Sequence, residues 1–149
     1  MEAGQTAPPA HELHFDANLR GKGFRFTTTW GLFHPKGVDA GTALLLERLE
    51  VPAEATCLDL GCGWGPIGLT LAHLAPTGQV HMVDKDFVAI DYARRNAVAN
   101  GCANARVYLS NGFSHVPAEQ RFDLVVSNIP AKVGGQLLQY WMTETHRRL

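Results

Sequence analysis

The sequence has little excess charge, few cysteines and no long apolar run. Its 149 residues carry 13 Lys and Arg against 14 Asp and Glu, a net charge of −1, which argues against a protein that binds nucleic acid by bulk charge alone. Three cysteines without close pairing argue against a disulfide framework and suit a reducing compartment. No apolar run reaches the ~18–20 residues of a membrane helix, and residues 1–9 lack the basic and apolar regions of a signal peptide. We therefore expect a cytoplasmic protein with no membrane partner.

Patterns for metal binding and for a serine nucleophile are also missing. The seven histidines are dispersed, and none pairs with a cysteine at ligand spacing. The motif G-x-S-x-G is absent. We therefore predict no metal site and no Ser/His/Asp triad.

The hydrophobic pattern of the chain predicts an α/β protein. Residues 1–12 have few apolar anchors and are predicted to be a flexible tail, so the domain is placed at residues 13–149. Apolar residues alternate with polar ones on either side of a turn at residues 18–23, which predicts a β-hairpin. Asp39 is expected to cap a helix that runs to about Leu49.

Strands and helices alternate after residue 55. Short apolar runs predict strands at 56–60, 79–83, 105–109 and 122–127. Helices are expected from Pro66, from the cap Asp86 to Asn100, and up to Arg148. This alternation predicts a doubly wound, Rossmann-like parallel sheet preceded by the hairpin.

A glycine loop follows the first of these strands. Gly61, Gly63 and Gly65 lie between strand and helix, where a ligand can approach the backbone at the carboxyl end of the strand. The stretch 63–68 matches G-x-G-x-x-G, and Asp84 lies 21 residues after Gly63, close to the spacing of a dinucleotide fingerprint. A carboxylate at Asp84 would accept ribose hydroxyls from either a nicotinamide dinucleotide or another nucleoside.

Asp59 favours a cofactor without phosphate. It lies two residues before the first glycine, where a carboxylate would repel a diphosphate placed on the helix N-terminus. It suits a ligand with an ammonium group, such as S-adenosyl-L-methionine. A dinucleotide, and glycines that only form a tight turn, remain the alternatives.

The stretch from Asp59 to Gly65 resembles the first motif of class I S-adenosylmethionine-dependent methyltransferases. More narrowly, residues 24–135 are similar to the "methyltransferase small" family, which includes ribosomal-RNA guanine-N2 methyltransferases. The resemblance rests on the glycine loop together with Gly31-Leu32-Phe33, Asp39 to Thr42, Val83-Asp84, Ala93 to Ala97, Asn100-Gly101, Asn111 to Phe113 and Phe122 to Asn128.

The resemblance implies a set of cofactor contacts. Asp59 would lie near the amino-acid end of S-adenosylmethionine, Asp84 would hold the ribose, and Asn111 would read the adenine amino group, where the family more often has Asp. Lys85 and Phe113 are candidates for flanking the adenine. The full predicted cofactor set is Asp59, Gly61, Cys62, Gly63, Gly65, Asp84, Lys85, Asn111, Gly112 and Phe113.

The resemblance also implies a substrate motif, Asn-Pro-Pro-aromatic, in which the asparagine and the next carbonyl accept N–H bonds from an amine and the aromatic stacks on a base. This chain has Asn128, Ile129 and Pro130 there, and we predict these three as catalytic. Position 131 is alanine, so the stacking platform is missing. Phe33, Trp30 and Trp64 are the candidates to replace it. RNA is the implied substrate.

Two further groups have alternative interpretations. Arg20, Lys22 and Arg25 could contact phosphate, although a solvated hairpin edge is favoured. Thr42 and Lys36 could line the cofactor mouth, with ordinary helix capping as the alternative.

The strand count predicts an incomplete sheet. Methyltransferases of this class have a seven-stranded sheet, whereas this sequence predicts four sheet strands. The resemblance implies that these four lie side by side in the order third, second, first, fourth. The fourth strand would then be an open apolar edge, so we expect the C-terminal strands to be missing and a second copy or a partner to cover that edge. The rival hypothesis is a cofactor-binding module without catalysis of its own.

Overall fold

A computed structural model describes residues 11–128 and 133–149. The predicted hairpin is confirmed as β1 (Glu12–Leu19) and β2 (Lys22–Thr29). Its turn is shorter than predicted, because only Arg20 and Gly21 lie between the strands, and both have positive φ angles of 52° and 81°. Two left-handed residues match the twist of a tight hairpin. The predicted tail falls largely on residues 1–10, outside the described residues, and β1 already includes Glu12.

Four parallel strands form the central sheet: β3 (Thr56–Leu60), β4 (Gln79–Asp84), β5 (Ala105–Leu109) and β6 (Leu124–Val126). Their order is β5-β4-β3-β6, which confirms the predicted order. β6 is shorter than the predicted strand at 122–127, and at the start of that stretch the Phe122 N–H donates to the Arg148 carbonyl and not to the sheet.

In the part of the chain that the structure describes, four helices connect and cover these strands: α1 (Ala40–Arg48), α2 (Pro66–Leu74), α3 (Phe87–Ala99) and α4 (Gly135–Arg148). The carboxylates of Asp39 and Asp86 accept N–H bonds in the first turns of α1 and α3, as predicted for N-caps. Pro66 is the first residue of α2, where its missing N–H costs nothing.

Side chains alternate across the sheet and build a core on each face. The larger core joins the hairpin aromatics Phe24 and Phe26 to Trp64 and the inner faces of the helices. The smaller core contains Leu58, Phe113 and other buried residues, with Trp141 of α4 packed against it. Full burial of side chains of this kind stabilises the fold by about 1.5–3 kcal/mol each.

The hairpin is fixed to α3 by polar contacts. Glu12 accepts hydrogen bonds from Arg95 and Tyr92, both at 2.6 Å. These partners hold the pKa of the Glu12 carboxyl down to about 2, with the Arg95 hydrogen bond as the main cause. The amide of Asn96 pairs with both backbone groups of Thr27, as a neighbouring strand would. The hairpin is therefore an integral part of the domain.

The basic residues of the hairpin have structural partners. Arg20 donates to the carbonyl oxygens of Leu46 and Leu49 at the end of α1. Lys22 donates to the Asn100 carbonyl, and Arg25 forms an exposed ion pair with Asp16 at 3.6 Å. These contacts favour the structural interpretation of the cluster over phosphate binding.

Three cysteines, Cys57, Cys62 and Cys102, are free thiols and buried. Burial raises the pKa of the Cys57 thiol to about 11, and it also raises the pKa of the other two. Within the described residues, no helix is both long and apolar enough to span a bilayer.

Candidate active site

A cavity of about 590 Å³ opens at the carboxyl ends of the sheet strands. Its walls come from the glycine loop after β3, the ends of β4 and β5, the loop after β2, and α4. A cleft at the carboxyl edge of an open parallel sheet is where α/β proteins bind ligands. The predicted cofactor and substrate segments therefore meet in one place.

The glycine loop has a backbone that other residues adopt with strain. Gly61, Gly63 and Gly65 have φ angles of 77°, 56° and 114°. The sharp turn brings the N–H groups of Gly61 and Cys62 to the carbonyl of Val83 at the end of β4. Gly61, Cys62 and Gly63 line the cavity, whereas Gly65 does not.

Most of the N–H donors around the start of α2 already have acceptors within the protein. Gly63 donates to Asp84 Oδ2 at 2.9 Å, and Gly68 donates to Asp59 Oδ2 at 2.8 Å. Gly65 donates to the Cys62 carbonyl, and Pro66 has no N–H. A helix N-terminus binds phosphate through free N–H groups, and here internal carboxylates and carbonyls take most of them.

Asp59 lies beneath the loop and off the cavity wall. It is 1% exposed and is absent from the residues that line the cavity. Burial raises the pKa of its carboxyl to about 7, against the lowering effect of the Gly68 hydrogen bond. Its Oδ1 has no hydrogen-bond partner among the described residues. Asp59 thus lies beneath the glycine loop and holds the start of α2 through the Gly68 N–H, and its place near the amino-acid end of the cofactor stays a prediction.

Asp84 and Lys85 lie on the cavity wall as predicted. Asp84 accepts from the N–H of Gly63 through Oδ2 and from the N–H of Asp86 through Oδ1. A carboxylate has about four acceptor sites, so each oxygen keeps capacity for one further donor. That arrangement fits the two hydroxyls of a ribose.

The end of β5 forms the next part of the wall. Asn111 and Gly112 line the cavity. Phe113 does not, because its side chain packs in the smaller core, where the Arg148 guanidinium lies 5.1 Å from its ring centroid. Phe113, a candidate for flanking the adenine, is therefore a core residue in this structure and does not line the cavity.

Asn128 lies on the cavity wall and is held from two sides. The preceding residue, Ser127, donates its hydroxyl to the Leu60 carbonyl at 2.7 Å, which fixes the end of β6 beside the glycine loop. Asn128 donates its Nδ2 to the Thr42 hydroxyl at 3.0 Å. The other predicted catalytic residues, Ile129 and Pro130, lie outside the described residues, as does position 131.

The three candidate aromatics occupy different environments. Phe33 lines the cavity and is 69% exposed. Trp64 is buried among hairpin aromatics and donates its Nε1–H to the Phe33 carbonyl at 3.0 Å. Trp30 is exposed away from the cavity lining, and the Lys36 ammonium lies 5.1 Å from its ring centroid. Trp64 also lines the cavity but is only 3% exposed, so Phe33 is the one of these three candidates that presents an exposed ring at the cavity.

The model of the methyltransferase small domain family matches residues 23–149. This chain belongs to the methyltransferase small domain family. The match covers the β2 strand, the whole central sheet and α4.

Relatives of this methyltransferase small domain are longer proteins. The protein YbxB of Bacillus subtilis is 40% identical over 121 residues, which are 80% of this chain and 60% of YbxB. Ribosomal RNA small subunit methyltransferase C of Haemophilus influenzae is 38% identical over 100 residues, 67% of this chain and 29% of that protein. The chain therefore spans less than two thirds of these relatives.

Solved structures confirm the fold of the domain. The T. thermophilus 16S rRNA N2 methyltransferase RsmC, in complex with AdoMet and guanosine, superposes with a TM-score of 0.84 and 28% identity over 97% of this chain and 41% of its own. M. jannaschii TYW2 in complex with AdoMet has a TM-score of 0.69 at 16% identity over 91% of this chain and 58% of its own, a likeness of fold alone.

Several residues that line the cavity of this methyltransferase small domain were not predicted from the sequence. Trp141 of α4 contacts Gly112 so closely that a Cβ at Gly112 would lie 2.8 Å from the indole Nε1. Its neighbours on the same wall are Leu137 and Val133. The apolar residues of α4 recur at helical spacing, a signal for a buried face, but spacing alone does not tell which surface they meet. Residues 11–128 and 133–149 contain no group of three or more side chains suited to a metal ion.

Proposed function

We propose that this chain binds S-adenosyl-L-methionine and transfers its methyl group to an exocyclic amine of RNA, with guanine N2 as the specific candidate. Membership in the methyltransferase small domain family supports the reaction class. The guanosine and AdoMet in the T. thermophilus RsmC complex support the acceptor and the cofactor.

One observation carries the choice of cofactor. Most of the N–H groups that a diphosphate would need at the start of α2, those of Gly63, Gly65 and Gly68 among them, are bonded inside the protein, while Asp84 presents a carboxylate to the cavity. Acceptors suit hydroxyl and ammonium donors, and they oppose a bound diphosphate. The residues present therefore fit S-adenosylmethionine better than a dinucleotide.

We assign the cofactor contacts accordingly. Asp84 would hold the ribose hydroxyls with its two remaining acceptor positions, and the Asn111 side-chain oxygen would accept from the adenine amino group. Gly61 and Gly63 let the nucleoside approach the backbone, and Lys85 lies beside the same wall. Trp141 and Gly112 would enclose the opposite side.

The reaction needs positioning more than acid–base chemistry. The bound sulfonium supplies an electrophilic methyl group. Asn128 would accept one N–H of the amine at its Oδ1, which localises the nitrogen lone pair and aims it for in-line displacement. The C–N bond would form as the S–CH3 bond breaks, which would leave S-adenosylhomocysteine as the leaving group. The methylated nitrogen would then lose one proton to water, so the reaction would need no covalent protein intermediate. Phe33 would stack on the base.

Two titrations and one transfer assay test the proposal. Calorimetry with S-adenosylmethionine and with NAD is expected to show binding of the first alone. Incubation with methyl-labelled cofactor and total RNA is expected to label RNA. Asn128→Ala should abolish the transfer and keep cofactor binding, whereas Asn18→Ala, on the exposed side of β1, should leave both unchanged. Tight binding of NAD without binding of S-adenosylmethionine would overturn the assignment.

The second candidate is a cofactor-binding module that assists a partner. The alanine at position 131, where the family pattern has an aromatic residue, favours it. Cofactor binding without label in RNA would support the module and contradict the enzyme.

We also propose that a second copy or a partner covers β6, and that the protein acts in the cytoplasm. Within the described residues β6 pairs only with β3, and an open strand edge favours pairing with another chain. Light scattering at high concentration tests the dimer, and a monomer would contradict it.

A further inference from the structure

We propose that Thr42 is a positioning residue that fixes which end of the Asn128 amide faces the cavity. The inference rests on the proposed function, in which an amine must find an acceptor at Asn128. It concerns a contact between residues that are 86 positions apart in the chain.

The geometry leaves the Asn128 oxygen for the ligand. Asn128 Nδ2 lies 3.0 Å from Thr42 Oγ1, so the side chain points its nitrogen to α1. No described residue donates a hydrogen bond to its Oδ1. Because Asn128 lines the cavity, this oxygen is the free acceptor at the substrate wall.

Thr42 is held rigidly enough to direct that choice. It is 3% exposed and lies in the first turn of α1, where its own N–H is bonded to the Asp39 carboxylate at 3.4 Å. On the other side, the Ser127 hydroxyl bond to Leu60 fixes the backbone that carries Asn128. Ser127 therefore holds the backbone at Asn128, and the Thr42 hydroxyl holds the nitrogen end of its amide.

The rotation decides which substrates the wall accepts. An amine brings N–H donors, and only the amide oxygen can accept them. A flipped amide would present its own N–H groups and oppose the amine, while it would attract a carbonyl oxygen. A threonine hydroxyl can donate a hydrogen bond as well as accept one. The informative experiment therefore removes the Thr42 hydroxyl and compares the Asn128 amide with and without it.

Three variants separate this role from general packing. Thr42→Val removes the hydroxyl and keeps the shape, Thr42→Ser keeps the hydroxyl, and Thr70→Val removes another buried hydroxyl, which bonds within α2 to Pro66. We expect Thr42→Val to lower kcat about tenfold, as loss of one hydrogen bond predicts, with Kd for S-adenosylmethionine unchanged. Thr42→Ser should keep kcat at the wild-type value, and Thr70→Val should also leave kcat unchanged.

Two kinetic outcomes would overturn the proposal. A weaker Kd for S-adenosylmethionine with an unchanged kcat would make Thr42 a wall of the cofactor site only. An unchanged kcat and Kd in Thr42→Val would remove any role.

A readout without turnover keeps the test independent of the proposed function. In the ¹⁵N-labelled chain, the Asn128 side-chain NH₂ signals are expected to match in wild type and Thr42→Ser and to move in Thr42→Val. Unmoved signals in Thr42→Val would contradict the hydrogen bond. If the wild type labels no RNA but these signals move, the proposed function fails while the link between Thr42 and Asn128 stands.

Discussion

The glycine-loop wall and the substrate wall of the cavity differ in how complete they are. On the glycine-loop wall, Gly63 and Gly68 donate to carboxylates of the same protein, and the polar backbone is largely satisfied. On the substrate wall, Phe33 is 69% exposed and the Asn128 oxygen has no donor among the described residues. Exposed aromatics and open acceptors at a cavity mark where a partner supplies the missing contacts.

The difference shows how the two walls would recognise ligands. The glycine-loop wall is preorganised, so binding there costs little ordering of side chains. The substrate wall depends on a few contacts from distant segments, such as α1 to Asn128 and Trp64 to the Phe33 carbonyl. Changes on the first wall should act on cofactor affinity, and changes on the second should act on the acceptor.

The largest expected effect is at Asp84. Asp84→Ala removes the carboxylate that faces the cavity and releases the Gly63 N–H. We expect affinity for S-adenosylmethionine to fall about 100-fold by calorimetry, since two charge-assisted hydrogen bonds are lost. Asp86→Ala is the control, because it removes a neighbouring carboxylate that caps α3 outside the cavity lining. Equal losses in both variants would contradict a specific role for Asp84.

Asp59 tests the glycine-loop wall through the pH dependence of the free energy of unfolding. Its pKa is raised to about 7 in the folded chain, so the folded state holds this proton more tightly than the unfolded state. The free energy of unfolding should therefore fall as pH rises from about 4 to about 7 and level off above that range. Asp59→Asn should lack this contribution, so the free energies of unfolding of the two proteins, measured by urea titration, should diverge by on the order of a few kcal/mol across the window. Parallel curves would show that Asp59 does not titrate there.

Phe33 tests the substrate wall alone. Phe33→Ala should raise KM for RNA about tenfold, since base stacking contributes ~1–3 kcal/mol, and should leave cofactor affinity unchanged. Phe87→Ala removes another exposed phenylalanine, 75% exposed at the start of α3, and should change neither constant. A loss of cofactor affinity in Phe33→Ala would break the separation between the walls.

The smallest expected effect is at Glu12, which tests the attachment of the hairpin to α3. Its pKa is lowered to about 2, so its contribution to stability is present above pH 4.5 and is lost as pH falls through 2. Glu12→Gln should lower the free energy of unfolding at pH 7 by about 1 kcal/mol, a value discounted because Arg95 is solvent-accessible. The difference from wild type should narrow at pH 2 to 3, and cofactor affinity should not change. An equal difference at every pH would contradict the ion pair as the cause.

The sequence predicted the parts of the molecule that depend on local rules. The alternation of strands and helices and the caps at Asp39 and Asp86 follow from periodicity and from residue type, whereas the strand order followed from the resemblance to the family. The positions of Asp84 and Asn128 on the cavity wall were predictable because both residues lie at the carboxyl ends of sheet strands. Residues whose roles depend on distant partners were not predictable: Phe113 turned into the core, Asp59 went beneath the loop, and Trp141 reached Gly112 from α4.

The three buried thiols give the domain its own reporters of opening. Only the thiolate reacts readily with alkylating reagents, and burial raises the thiol pKa at all three positions. Native protein should therefore resist labelling near neutral pH. Cys62 lies in the cavity wall, Cys57 lies in the middle of the sheet and Cys102 follows α3. The labelling rates of the three thiols therefore report separately how often the loop, the core and the helix end open. A ligand seated on the glycine loop should slow Cys62 more than the other two.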